Sequence, residues 1–75
     1  MQGTRRLTAI IEREGDGFVS LCPELDIASQ GASIEEARAN LVEALTLFFE
    51  TADASEVTQR YHGDVLVTQV EVPVG

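Results

Sequence analysis

The side chains able to do covalent chemistry are few. Cys22 and His62 are the single cysteine and the single histidine of the chain. A papain-like pair needs the two adjacent and held by a third group, and nothing in the sequence orients them. A serine triad would need the same histidine as its base. His62 sits just before Gly63 at a predicted helix end, where a surface role is ordinary. Cys22 closes a strand pattern beside Pro23, a place for a small buried hydrophobe. Together they are too few for a Cys/His zinc site. Gly15-Asp16-Gly17 is too short for a phosphate loop, and its aspartate would repel phosphate. The sequence therefore predicts no enzyme and no cofactor.

Carboxylates are plentiful. Glu12, Asp16, Glu24 and Asp26 could converge, as the acids of two-metal nucleases do around Mg²⁺. No lysine or histidine is placed to assist them, and the chain's charge would repel a nucleic-acid substrate. A metal-dependent nuclease is the least supported reading. The same acids can instead meet a basic protein. Asp16, Glu24 and Asp26 fall in predicted exposed turns, which makes them candidate partner contacts.

The elements that must position these groups follow from pattern. Leu7 to Arg13 places Leu7, Ala9 and Ile11 on one side of a strand. Glu14-Gly15-Asp16-Gly17 supplies the positive φ angles of a tight hairpin turn. Phe18 to Cys22 is a second, antiparallel strand with Val19 and Leu21 on one side, stopped by Pro23. Asp26 to Gln30 is a short third strand, and Gly31 marks the next turn.

Ser33-Ile34-Glu35-Glu36 is a capping box, and Glu35 and Glu36 sit at the positive end of the helix dipole. Ile34, Ala37, Leu41, Ala44, Leu45, Phe48 and Ala52 then recur at helical spacing, so an amphipathic helix spans Ile34 to about Glu50. Two residues break its pattern. Arg38 lies within the apolar stripe, with a stem long enough to carry its head to the rim. Leu47 lies on the polar side and is a candidate oligomer interface. Asp53-Ala54-Ser55-Glu56 opens a short second helix that Gly63 would end. Val65 to Val72 reads as a last strand, with Leu66, Val70 and Val72 on one side. The order is β-β-β-α-(short α)-β, an α+β fold with one main helix on one face of a small sheet. The last strand, following a helical crossover, should lie parallel to a neighbour.

The whole chain sets the frame. Seventy-five residues make one domain, residues 1–75, with a core worth only a few kcal/mol net. With one cysteine, no internal disulfide can help, so association is the expected stabiliser. An apolar fraction of 44% excludes compositional disorder. No apolar run approaches the ~18 residues of a membrane span. Met1 to Arg6 leads directly into a strand pattern, so no signal peptide is expected, and the protein reads as cytoplasmic. There are 13 acidic and 5 basic residues, a formal net charge of −8. Direct binding to nucleic acid is then disfavoured. A basic protein is the natural partner, because opposite fields speed encounter.

The stretch Glu14-Gly15-Asp16-Gly17-Phe18-Val19-Ser20-Leu21-Cys22-Pro23-Glu24-Leu25, followed by Gln30-Gly31-Ala32-Ser33-Ile34-Glu35-Glu36-Ala37, resembles the HicB-type antitoxins. An acidic Gly turn leads to an aromatic strand ending in Pro-acid-Leu, and Gly-x-Ser-x-x-Glu-Ala opens a helix. The resemblance covers roughly residues 7 to 50. It implies a partial RNase H-like fold without RNase H catalysis, and relatives that form dimers or tetramers. It also implies a function: binding a small basic HicA-type mRNA-cleaving toxin and occluding its active site. Many relatives continue into a DNA-binding domain. This sequence stops at Gly75 and resembles the short form, so direct DNA binding is not expected. The alternative is an orphan domain of the same fold that self-associates and serves a structural or regulatory role without a toxin.

Overall fold

The computed structural model describes residues 3–75. Three strands and two helices follow in order: β1 (Ile10–Glu14), β2 (Gly17–Cys22), β3 (Ile27–Gly31), α1 (Ile34–Thr51) and α2 (Ala54–Arg60). The strands form an antiparallel sheet in the order β1-β2-β3, and α1 packs across it, closest to β3. The fold is α+β.

Local chemistry explains the joints. Glu14 pairs with Gly17, leaving a two-residue loop. Gly15, its first residue, has φ +61°, the sign a type II′ hairpin requires there. Ser33 caps α1, its hydroxyl accepting from the Glu36 amide at 3.1 Å. The Glu36 carboxylate accepts in turn from the Ala32 amide, one residue earlier than a standard capping box. Asp53 caps α2 by accepting from the Glu56 amide at 2.8 Å. Gly31 lets the helix press on the sheet. A Cβ there would stand 2.5 Å from the Ala37 nitrogen and 2.8 Å from the Glu36 carbonyl carbon.

The register decides which face is buried. The Ser20 hydroxyl donates to the Ala37 carbonyl of α1 at 2.9 Å, so Ser20 points to the helix. Alternation puts Phe18 and Cys22 on the same side, with Ile11 and Ile27 opposite Ser20 and Cys22 on the neighbouring strands. Val19 and Leu21, the apolar pair of the sequence pattern, face away from α1 beside Ile10 and Ala28. The core is small: Cys22, Leu25 and Leu41 are buried together, with Leu7, Ile27, Leu45, Phe48 and Phe49 packed around them.

Two expectations are corrected. Val65 to Val72 joins no sheet and has no neighbour to lie parallel to. A strand needs another strand to take its hydrogen bonds, and beyond the turn at Gly63-Asp64 no strand is formed and every residue is exposed. Gly63 does not end α2, which stops at Arg60 with Tyr61 extended at φ −81°. Arg38, within the apolar stripe of the sequence pattern, is exposed. The sheet covers a narrow part of α1, so Ile34 and Val42 are also more than half exposed.

Candidate protein-docking site

The four residues singled out from the sequence lie in three places. Asp16 is exposed in the β1–β2 loop, and Asp26 is exposed in the β2–β3 turn at the other end of β2. Six residues of strand separate them, about 20 Å at ~3.3 Å per residue. Asp16, Glu24 and Asp26 therefore form no single patch, and Glu12, Asp16, Glu24 and Asp26 do not converge. Leu47 is 58% exposed on α1.

Glu24 differs from an exposed turn acid. It is 8% exposed, and its carboxylate faces inward. Thr8 donates to it twice, through its amide at 3.1 Å and its hydroxyl at 2.6 Å. The Cys22 thiol donates from 3.5 Å. Burial alone would raise the Glu24 carboxyl. The hydrogen bonds from Thr8, its own amide and Cys22 outweigh burial and hold it below the usual carboxylate value. Burial, reinforced by the Glu24 charge, pushes the Cys22 thiol up, so it is a poor thiolate.

The turn around Glu24 is clasped from the other side as well. The Arg60 guanidinium donates to the Leu25 carbonyl at 3.0 Å, and the His62 amide donates to the Glu24 carbonyl at 2.6 Å. Asp26 takes φ +56°, closing the turn with its amide 2.8 Å from the Cys22 carbonyl. Nearby, the Arg5 guanidinium lies between two rings, 5.1 Å from the centre of Phe49 and 5.2 Å from that of Tyr61. Pro23-Glu24-Leu25-Asp26 thus works as a fastener joining residue 8, β2 and the end of α2.

The surface best built for a partner lies along the seam of β3 and α1. Two shallow grooves meet there at Ser29 and Asn40. The Asn40 amide donates to the Gln30 carbonyl at 2.8 Å and ties the seam. One groove carries Glu14 and Glu36, the other Glu43, Leu47 and Glu50. Glu36, Glu43 and Glu50 recur every seven residues, which puts them on one side of the helix. Leu47 stands between the last two. Of the 13 acidic residues, all but Glu24 are exposed. The glutamate spacing was visible in the sequence. What was hidden was the strand beside it, which turns a polar helix face into the wall of a groove.

No group of three or more metal-capable side chains is found among the described residues. No described helix is long and apolar enough to cross a membrane. Comparison with protein-family models, curated proteins and solved structures gave no match.

Proposed function

We propose that this protein is an antitoxin-like binding module that neutralises a small basic mRNA-cleaving toxin of the HicA type by covering its active site. One observation carries the reading: a groove lined by Glu43, Glu50 and the exposed Leu47, on a domain whose acids face solvent almost without exception. A nuclease that binds RNA presents cations to phosphates. A row of carboxylates can occupy those cations, and a leucine can add apolar area at the centre of the contact. Inhibition of this kind needs affinity and no chemistry. The resemblance of residues 7 to 50 to HicB-type antitoxins, with their partial RNase H-like fold, supports the same reading.

Leu47 takes a different role here from the oligomer contact expected of it. A two-fold contact centred on Leu47 would bring Glu43 and Glu50 of two copies together, and like charges at an interface are costly. A basic partner removes that cost. Asp16 lies beyond the Glu14 end of the seam and extends it. Asp26 lies at the far end of β2.

The test is co-expression with the small reading frame adjacent to the gene, followed by size exclusion with light scattering and an RNA-cleavage assay. The expected result is a defined complex that blocks cleavage and dissociates at high salt. Glu43→Lys with Glu50→Lys should weaken it at least tenfold, and Leu47→Asp likewise. Absence of a co-purifying basic partner would reject the reading.

A further inference from the structure

The face of the sheet turned away from α1 reverses the usual order of a two-layer fold. A sheet with a helix on one side commonly puts its apolar residues under the helix and its polar residues in water. From Val19 to Cys22 the helix side carries Ser20 and Cys22, both fully buried, and the far side carries Val19 and Leu21. The register sets that far side out in rows across the strands. Ile10, Leu21 and Ala28 form the first row, Glu12, Val19 and Gln30 the second, and Glu14 with Gly17 the third. Rows on one face are about 6.7 Å apart, and neighbouring strands about 4.8 Å. The face is therefore aliphatic at one end and acidic at the other. Leu21 is 36% exposed, Glu12, Glu14 and Ala28 are exposed, and Ile10 and Val19 are half-buried. Ile10, Val19 and Leu21 stand apart from the cluster packed around Cys22, Leu25 and Leu41.

We propose that this outer face is a docking surface for an amphipathic helix of a basic protein, with aliphatic side chains on the Ile10–Leu21–Ala28 row and lysine or arginine over Glu12 and Glu14. A helix is the element that covers a sheet face, as α1 does on the other side. The charge of the occupant follows from the two glutamates. They sit on the same face as the aliphatic row, so whatever covers that row also meets carboxylates and must bring cations to them.

The same pattern disfavours the other occupants. Two copies stacked through this face would set Glu12 and Glu14 against the same acids or against the aliphatic row. The first is a like-charge contact, and the second buries carboxylates without partners. Nucleic acid is repelled by both acids. The groove that holds Glu14 and Glu36 also touches Gly17, Val19 and Gln30, so the outer face continues into the seam of β3 and α1. The inference adds a second surface to that seam and does not need the partner to be a nuclease. Failure here leaves the seam standing, and failure at the seam leaves this face standing.

The experiment titrates two synthetic helical peptides of about 18 residues into the isotope-labelled full chain and follows its amide resonances at about 0.15 M salt. Both peptides carry leucines along one side. One has two lysines in its last turn, and the other has two glutamates there. The lysine peptide should bind about tenfold tighter, with shifts gathered on residues 10–14, 17–21 and 28–30. Glu12→Lys with Glu14→Lys should invert the preference. Leu21→Asp should weaken both peptides about tenfold. Glu43→Lys with Glu50→Lys makes the same change in net charge on the α1 seam and should leave the preference in place. Helical circular dichroism checks the fold of each variant, and if Leu21→Asp unfolds the chain, the two charge reversals decide. No binding of the lysine peptide at about 1 mM overturns the proposal. Shifts centred on residues 36–50 overturn it too, as does a preference that both charge reversals invert alike.

Discussion

Glu24 is an acid in an acidic chain, yet it acts inward. Its carboxylate joins Thr8 to the β2–β3 turn, and its own carbonyl receives the chain as it leaves α2. The sign of its pH effect follows from its depressed value. Stability from Glu24 is full above the carboxylate's unfolded value and is lost as pH falls through the lower folded value. Glu24→Gln should therefore cost about 1–3 kcal/mol near neutrality, the worth of hydrogen bonds to a charged group. Thermal melts from neutral pH downward should show the gap between parent and variant closing below about pH 4. A gap independent of pH would mean that the carboxylate's charge contributes nothing. The reading of Glu24 as an exposed contact failed because sequence shows the turn but not the residue 16 positions earlier that folds over it.

Among the elements, α1 is the best specified and also the most dependent on one glycine. Its start, its cap and its length were legible because capping is local: Ser33 and Glu36 meet within one turn. The hairpin loop at Gly15 was legible for the same reason. The buried face of β2 was not. Alternation favoured Val19 and Leu21, but the helix covers Ser20 and Cys22, whose small side chains admit it closely and whose polar groups find partners in the Ala37 carbonyl and Glu24. Hydrophobic pattern reports a two-faced strand; which face wins depends on a helix that comes later in the chain. The close approach makes a prediction. Gly31→Val should destabilise more than Leu45→Ala, although Gly31 contributes no side chain, because its Cβ meets the backbone of α1 and nothing there can yield. Leu41→Ala should cost about 2–5 kcal/mol, the usual loss for a buried leucine. Denaturant titrations of the three variants give the order directly. The strand expected at Val65–Val72 does not form, since propensity names a conformation and cannot supply the neighbour that completes it.

At the scale of the molecule, a charge of −8 on 75 residues makes salt act in two directions. In the free protein, added salt screens repulsion among the exposed acids. The melting temperature should rise by several degrees between about 10 mM and about 0.5 M NaCl. A complex with a basic partner should weaken over the same interval, because the attraction that builds it is screened as well. Opposite salt responses from one chain would tie both effects to the same acids. A melting temperature that does not move would show that the acids are too dispersed to strain the fold.

The ring of Tyr61 has one more use. The chain has no tryptophan and a single tyrosine, so light absorbed beyond the phenylalanine band is emitted from one place. That place is the contact of Tyr61 with the Arg5 guanidinium, one residue after α2 and two before the turn at Gly63-Asp64. Any event that draws the first residues away from α1, or pulls on the chain beyond α2, changes the light from this phenol and from no other. The protein carries its own optical probe where Arg5 meets the residue that follows α2.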